Sequence, residues 1–159
     1  MRRNQQFALF AACAIGFCSN AMANLSFTGI LRVPPPCTIN NGATIAIDFA
    51  EMGTNRVDGT NYKKTLTYSI SCTSSTMPWS MYLTVTGVAT DFDPAAVKTD
   101  KDHLGIKILQ NDLPFTLNTK VQITAANPPT LKVVPVKRPG ATLGEGTFNA
   151  VAVLVAHHE

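Results

Sequence analysis

The chain has 159 residues, 45% of them apolar and 14% charged, with a formal net charge of +3. That length holds one domain, or one domain and an arm, and the apolar, weakly charged composition excludes a disordered chain. It also lacks any basic cluster, and because phosphate neutralisation dominates nucleic-acid affinity, a nucleic-acid partner is excluded.

The first element in chain order is an export signal. Arg2 and Arg3 precede an unbroken apolar run of twelve residues, Phe7–Cys18, and Ala21-Met22-Ala23 supplies the small-x-small pattern that a signal peptidase reads. Spanning a bilayer takes roughly 20 apolar residues, and no later run exceeds the seven of Ala150–Ala156. A lipoprotein box at Phe10-Ala11-Ala12-Cys13 sits too early to leave a full apolar region before it. Residues 1–23 are therefore expected to be a signal peptide. Its removal takes two arginines and no acids, so the charge falls from +3 to +1. Thr, Val, Ile and Asn outweigh the helix formers in what remains, which favours an all-β, secreted domain.

Cys13 and Cys18 leave with the signal, and Cys37 and Cys72 are the pair that stays. In an oxidising compartment an even count predicts a disulfide. It would close a loop of about 36 residues, worth roughly 3–4 kcal/mol in the chain-entropy model. A metal-binding or reactive pair has neither CxxC spacing nor a nearby histidine to support it.

The mature chain reads as short strands between turns. Leu25, Phe27, Gly29, Leu31 and Val33 alternate with Ser26, Thr28, Ile30 and Arg32 until Pro34-Pro35-Pro36 stops any ladder. Cys37–Phe49 follows, with a bend at Asn40-Asn41-Gly42 and with Ile45, Ile47 and Phe49 on one face. Asn55–Asn61 is polar, with a turn at Asp58-Gly59. Leu66, Tyr68, Ile70 and Cys72 form one period-2 stripe; Trp79, Met81, Leu83 and Val85 form another, across the hairpin-length connection Thr73–Pro78. Thr90–Asp102 carries four aspartates and reads as a solvated loop. Leu104, Ile106 and Ile108 make the next stripe, with weaker strands at Val121–Thr124 and Leu131–Val136. After Pro139–Gly146 comes Phe148–Ala156. About seven strands at this spacing predict a two-sheet sandwich of immunoglobulin type.

Two segments exceed what a self-sufficient sandwich needs. Phe148–Ala156 is apolar on both faces, so it is either an interior strand or an edge with a missing neighbour. The alternating segment before the prolines is either the first strand or a spare one. A spare strand and a missing one would let molecules complete each other by strand addition. Buried, Leu25, Phe27, Leu31 and Val33 would contribute ~1.5–3 kcal/mol each before entropy. Gly29, at the centre of that stripe, is either a bend before the prolines or a point of close approach to a partner's backbone.

Residues that could carry chemistry have plainer readings. His157 and His158 point to opposite strand faces, so they predict a frayed polar end and not a metal site; His103 stands alone. Asp91, Asp93, Asp100 and Asp102 lack the third oxygen and central Gly of an EF-hand. No nucleophile elbow or phosphate loop appears, so no catalytic residues, cofactor or small-molecule substrate are expected. A self-contained carbohydrate- or protein-binding module using Trp79 and Tyr82 remains the alternative, although the Trp79 stripe predicts that this ring packs in the core.

These residues resemble the minor pilin subunits of bacterial chaperone–usher fimbriae. The resemblance rests on Gly29 in an N-terminal arm, Pro36-Cys37-Thr38-Ile39, Ile47-Asp48-Phe49, Ser69-Ile70-Ser71-Cys72 and Leu104-Gly105-Ile106-Lys107-Ile108. It also rests on a glycine fourteenth from the end, Gly146, followed by Phe148, Ala150, Ala152, Leu154 and Ala156. The penultimate residue is His158, where such pilins usually carry Tyr or Phe. Pro35–Gly42 is especially similar to the adaptor that joins a P-type adhesin to its fibre. The resemblance implies an all-β, incomplete immunoglobulin-like sandwich, the pilin fold, lacking its last, seventh strand. Residues 24–36 would be the donor-strand extension and residues 37–159 the pilin domain. Leu25, Phe27, Gly29, Leu31 and Val33 would form the donor strand, while Gly146, Phe148, Ala152, Leu154 and His158 would line or border the acceptor groove. The implied partners are a periplasmic pilus chaperone, an outer-membrane usher and neighbouring fimbrial subunits, with an adhesin among the candidates, in a structure that supports cell adhesion outside the cell.

Overall fold

The computed structural model describes residues 23–74 and 78–159. The predicted signal peptide, apart from Ala23, lies outside the described residues. The chain divides into two compact units, Met1–Arg32 and Val33–Glu159. In the first, residues 23–32 form no strand, and Leu25, Phe27 and Leu31 are 81%, 88% and 102% exposed.

The second unit holds ten described strands: β1 Cys37–Ile39, β2 Lys64–Leu66, β3 Ile70–Cys72, β4 Met81–Thr86, β5 Ala96–Lys98, β6 Leu104–Gln110, β7 Leu113–Pro114, β8 Lys120–Ile123, β9 Leu131–Lys137 and β10 Val153–His158. They form three antiparallel sheets, β1-β3, β10-β4-β8 and β2-β9-β6-β5, with β7 paired to β6. Period-2 patterning accounts for the two faces. In β4, Met81, Leu83 and Val85 are buried and Tyr82 and Thr84 half-buried. Opposite them, Val97, Ile106, Ile108, Leu131 and Val133 supply the facing layer of the same core, with Phe115 and Ala156. β6 and β9 are buried on both faces and lack alternation, as central strands do. Pro135 is tolerated in β9 because β2 has already ended at the level of Val133, so no ladder bond is lost on that side.

The Cys37–Cys72 disulfide is present, joining residues whose Cα atoms are 4.0 Å apart in register between β1 and β3. Four expectations change. The stripe from Leu66 to Cys72 is not one strand: β2 pairs with β9 and β3 with β1, so the chain changes sheets at Tyr68, whose hydroxyl donates to Pro129 O at 2.6 Å. Burial pushes that phenol up to about 12. The hairpin expected across Thr73–Pro78 would pair β3 with β4, but among the described residues β3 pairs with β1, and β4 with β10 and β8; residues 75–77 of that connection lie outside the described residues. Thr90–Asp102 is not a solvated loop, because Ala95, Ala96, Val97 and Thr99 are buried and β5 lies within it; the aspartates mask a short apolar run. Trp79 is half-buried just ahead of β4, and the buried stripe begins at Met81.

Gly105 shows why the second strand face of β6 needs a glycine. A Cβ there would lie 2.7 Å from Thr90 Cγ2 and 3.2 Å from Ala96 Cβ. Thr90 cannot rotate away cheaply: its hydroxyl donates to Asp93 O at 2.9 Å and accepts from Asp93 N at 3.0 Å. Gly105→Ala should therefore destabilise the domain by about 1–3 kcal/mol, read as a lower denaturant midpoint with an unchanged slope.

Candidate strand-acceptor groove

Two segments of the second unit stand outside any ladder. Over residues 44–52, Ile45, Ile47 and Phe49 are half-buried while Thr44, Ala46, Asp48 and Ala50 are exposed, yet no strand is formed. Residues 148–152, expected as the first half of a strand ending at Ala156, likewise form no strand; β10 starts only at Val153. Among the described residues, no backbone–backbone hydrogen bond involves 44–52 or 150–152. Each has strand patterning and no ladder.

Between these rims lies a cavity of about 1770 Å³ with an apolar floor that includes Val85, Ile106, Ile108, Leu131 and Val133. Gly146, Phe148, Ala152 and Leu154 are among the residues that line it. Gly146 has φ +122, a conformation side chains disfavour. The Phe49 and Phe148 rings meet from the two rims, centroids 6.1 Å apart. Of the residues expected to form a donor strand, Leu25, Phe27, Gly29 and Leu31 belong to the first unit, and Val33 is 91% exposed in the second. A Cβ at Gly29 would meet nothing within 4 Å, so nothing described in this chain demands glycine there.

The 146–152 rim is tied down by side chains and by one backbone bond. Asp100 accepts from Asn149 N at 2.7 Å and from Asn149 Nδ2 at 3.2 Å, and its own N–H donates to Asn149 O at 3.1 Å. Lys101 Nζ donates to Glu145 O. The Asn149 amides, backbone first, hold the Asp100 carboxyl below its ordinary value. Sequence reading counted Asp100 among four loop charges and missed this clamp, because its partner is 49 positions away.

The other candidate residues resolve into pairs. Asp91 binds Arg138, whose guanidinium lowers that carboxyl's pKa and lies over the Phe92 ring, 5.3 Å from its centroid. Arg138 also donates to His103 Nδ1 at 3.3 Å. Asp93 pairs with Lys107 at 2.9 Å. Three of the four aspartates thus have protein partners, which leaves no calcium cluster from that set. Tyr82 stacks on His157, centroids 5.9 Å apart, with Lys120 Nζ 5.0 Å from its ring centre, so its ring is already engaged.

The polar end expected to fray is ordered. His157 and His158 lie within β10, and Glu159 exchanges backbone hydrogen bonds with Ser80 at 2.8 and 3.0 Å. His158 is not among the cavity-lining residues but stands beside the disulfide, Nδ1 3.5 Å from Cys37 Sγ. Cys37, Cys72 and His158 are close enough to share a metal ion, but the disulfide consumes both sulfurs.

Comparison with known proteins agrees with this architecture. Residues 25–158 match the fimbrial protein family, and the chain belongs to it. It is 36% identical over 136 residues to the uncharacterized fimbrial-like protein YfcQ of Escherichia coli K12, covering 82% of this chain and 84% of that protein. It is 31% identical over 131 residues to the minor fimbrial protein PrsF of Escherichia coli, covering 74% and 77%. A solved structure of the P pilus adaptor subunit PapF superposes with a TM-score of 0.58 at 28% identity, over 80% of this chain and 98% of that one. The chain is a fimbrial subunit with the immunoglobulin-like pilin fold, its sheets unclosed at the groove.

Removing the Asp100 carboxylate should free this rim. Asp100→Ala should speed exchange of the Asn149 amide hydrogen at neutral pH. In the unaltered protein the same release should come only in acid: a carboxyl with a lowered folded-state pKa stabilises above its ordinary value of 3.8 and stops doing so as pH falls through the folded one.

Proposed function

We propose that this fimbrial subunit is a minor, adaptor-like pilin assembled by donor-strand complementation and exchange. The observation that carries the reading is a pair of rims with strand patterning and no ladder, flanking an apolar floor. Backbone N–H and C=O groups in such a place need partners, and an inserted strand supplies them on both sides at once while covering the floor. In the periplasm a pilus chaperone's strand fills the groove. At the outer-membrane usher, the arm of a neighbouring subunit replaces it, and the product is a surface fimbria that supports adhesion. This chain's own arm, residues 24–36, performs the same service for another subunit through Leu25, Phe27, Leu31 and Val33. Its similarity to an adaptor subunit supports a place near an adhesin.

Expression of residues 24–159 without a chaperone tests the reading. A groove-deficient subunit aggregates or fails to accumulate, and co-expression of the chaperone restores it as a complex. A stable, soluble monomer would instead favour a self-contained binding module.

Gly29 supplies a second test. Glycine in a strand interior costs roughly 0.5–1 kcal/mol relative to alanine, and no neighbour described in this chain requires it. The requirement lies in the partner's groove, where space is short; in this chain's own groove the Phe49–Phe148 contact shows how narrow the gap between rims can be. Gly29→Leu should leave the chaperone complex intact and block delivery of the arm, measured as loss of chaperone displacement from the receiving subunit. Exchange at the wild-type rate would reduce Gly29 to a bend.

A further inference from the structure

Pro34-Pro35-Pro36 leads directly into β1. Proline fixes φ and has no N–H, so such a run is a stiff extended strut that can be gripped only through its carbonyls. Two of them are gripped. Thr73 donates its backbone N–H to Pro36 O at 3.1 Å, and His158 Nδ1 lies 3.1 Å from Pro35 O. A carbonyl only accepts, so Nδ1 carries the proton. The same N–H faces Cys37 Sγ. His158 itself cannot drift: its backbone is in register with Met81 of β4, and Glu159 beside it is bonded to Ser80 in both directions.

We propose that His158 is a positioning residue, a latch that holds the proline strut at the root of the arm against the end of β10 and fixes the course on which the chain enters β1. Force on the arm then divides between two paths. One runs through β1 and the disulfide into β3, the other through His158 into β10 and β4. The latch's use rests on the donor-strand reading, because only an arm seated in a neighbour transmits force, but its geometry does not.

Arg32–Val33 is a tryptic bond one residue before the strut; a protease must seat residues on both sides of the bond it cuts, here including half-buried Pro34 and Pro35, so its cleavage tracks how often the root opens when opening and closing are fast. The experiment follows cleavage of this bond by mass spectrometry in chain 24–159, with Lys63–Lys64 as an internal control. It is purified alone or as the chaperone complex, whichever form it takes. His158→Phe keeps a ring but removes the donor, whereas His158→Asn keeps an N–H donor near the position of Nδ1. Cleavage should rise roughly fivefold for His158→Phe, the gain from losing one hydrogen bond. His158→Asn should stay near wild type, and the control bond should be unchanged in both. Equal cleavage in His158→Phe and wild type overturns the latch. So does His158→Asn cleaving as fast as His158→Phe, or a parallel rise at the control bond. A chain that is soluble alone sinks the donor-strand reading, while the contrast between the variants still decides the latch.

Discussion

Backbone polarity governs this molecule more than any single side-chain contact. Peptide groups along 44–52 and 150–152 join no ladder, and burying them unpaired would cost free energy comparable to the lost hydrogen bonds. They therefore stay partly open over an apolar floor, and the sheets do not close there. That floor is part of the same core that holds β4, β6 and β9 together. The domain is thus complete in its sheets and incomplete along one line.

The other structural features either confine that line or tolerate it. The disulfide ties β1 to β3 where the ladder between them is only three residues long, and Glu159 and Ser80 secure the far end of β10. Along the rim itself the ties are fewer: an Asp100–Asn149 clamp of side-chain bonds with a single backbone bond, and a Lys101 contact to a carbonyl. Exposed side-chain contacts are weak and replaceable, and a ladder is cooperative. The groove is therefore bounded by firm structure at the end of β10 and by exchangeable contacts at Asn149. The ring contact between Phe49 and Phe148 belongs to the second class as well, since no backbone bond enforces it.

Much of this was legible in the residues. Alternation at Met81–Val85 and Leu104–Ile108 marks strands directly, and two mature cysteines leave one pairing. The doubly apolar stretch after Phe148 and the proline-bounded stripe before Cys37 mark two segments that a self-sufficient sandwich does not need. What failed was whatever depended on a partner distant in sequence. Nothing local in Leu66–Cys72 says that the chain changes sheets at Tyr68, because both halves share one period. Ala95-Ala96-Val97 is hidden among aspartates whose charge marks a loop but whose actual partners, Arg138, Lys107 and Asn149, lie elsewhere. His158 is expected to line or border the groove only through the family resemblance of the penultimate position; it lies beside the disulfide and not among the cavity-lining residues. Adjacent polar residues at a chain end favour fraying, and here Ser80 overrides that tendency through two backbone bonds.

Register closes the argument, because a strand's side chains repeat every two residues and a slip of one exchanges its faces. Seated with Leu25, Phe27, Leu31 and Val33 toward an apolar floor, the arm would leave Ser26, Thr28 and Arg32 facing outward. Displaced by one residue, it would bury Ser26, Thr28, Ile30 and Arg32 instead. Two hydroxyls and a guanidinium would then meet a floor of the kind formed here by Val85, Ile106 and Leu131. Burying an unpaired charge costs several kcal/mol or more, which outweighs the ~1.5–3 kcal/mol recovered from Ile30. In the donor-strand reading Arg32, the one charged residue between Asn24 and Pro36, would thus act as a register mark, contributing nothing to a correctly seated arm and opposing the nearest wrong one.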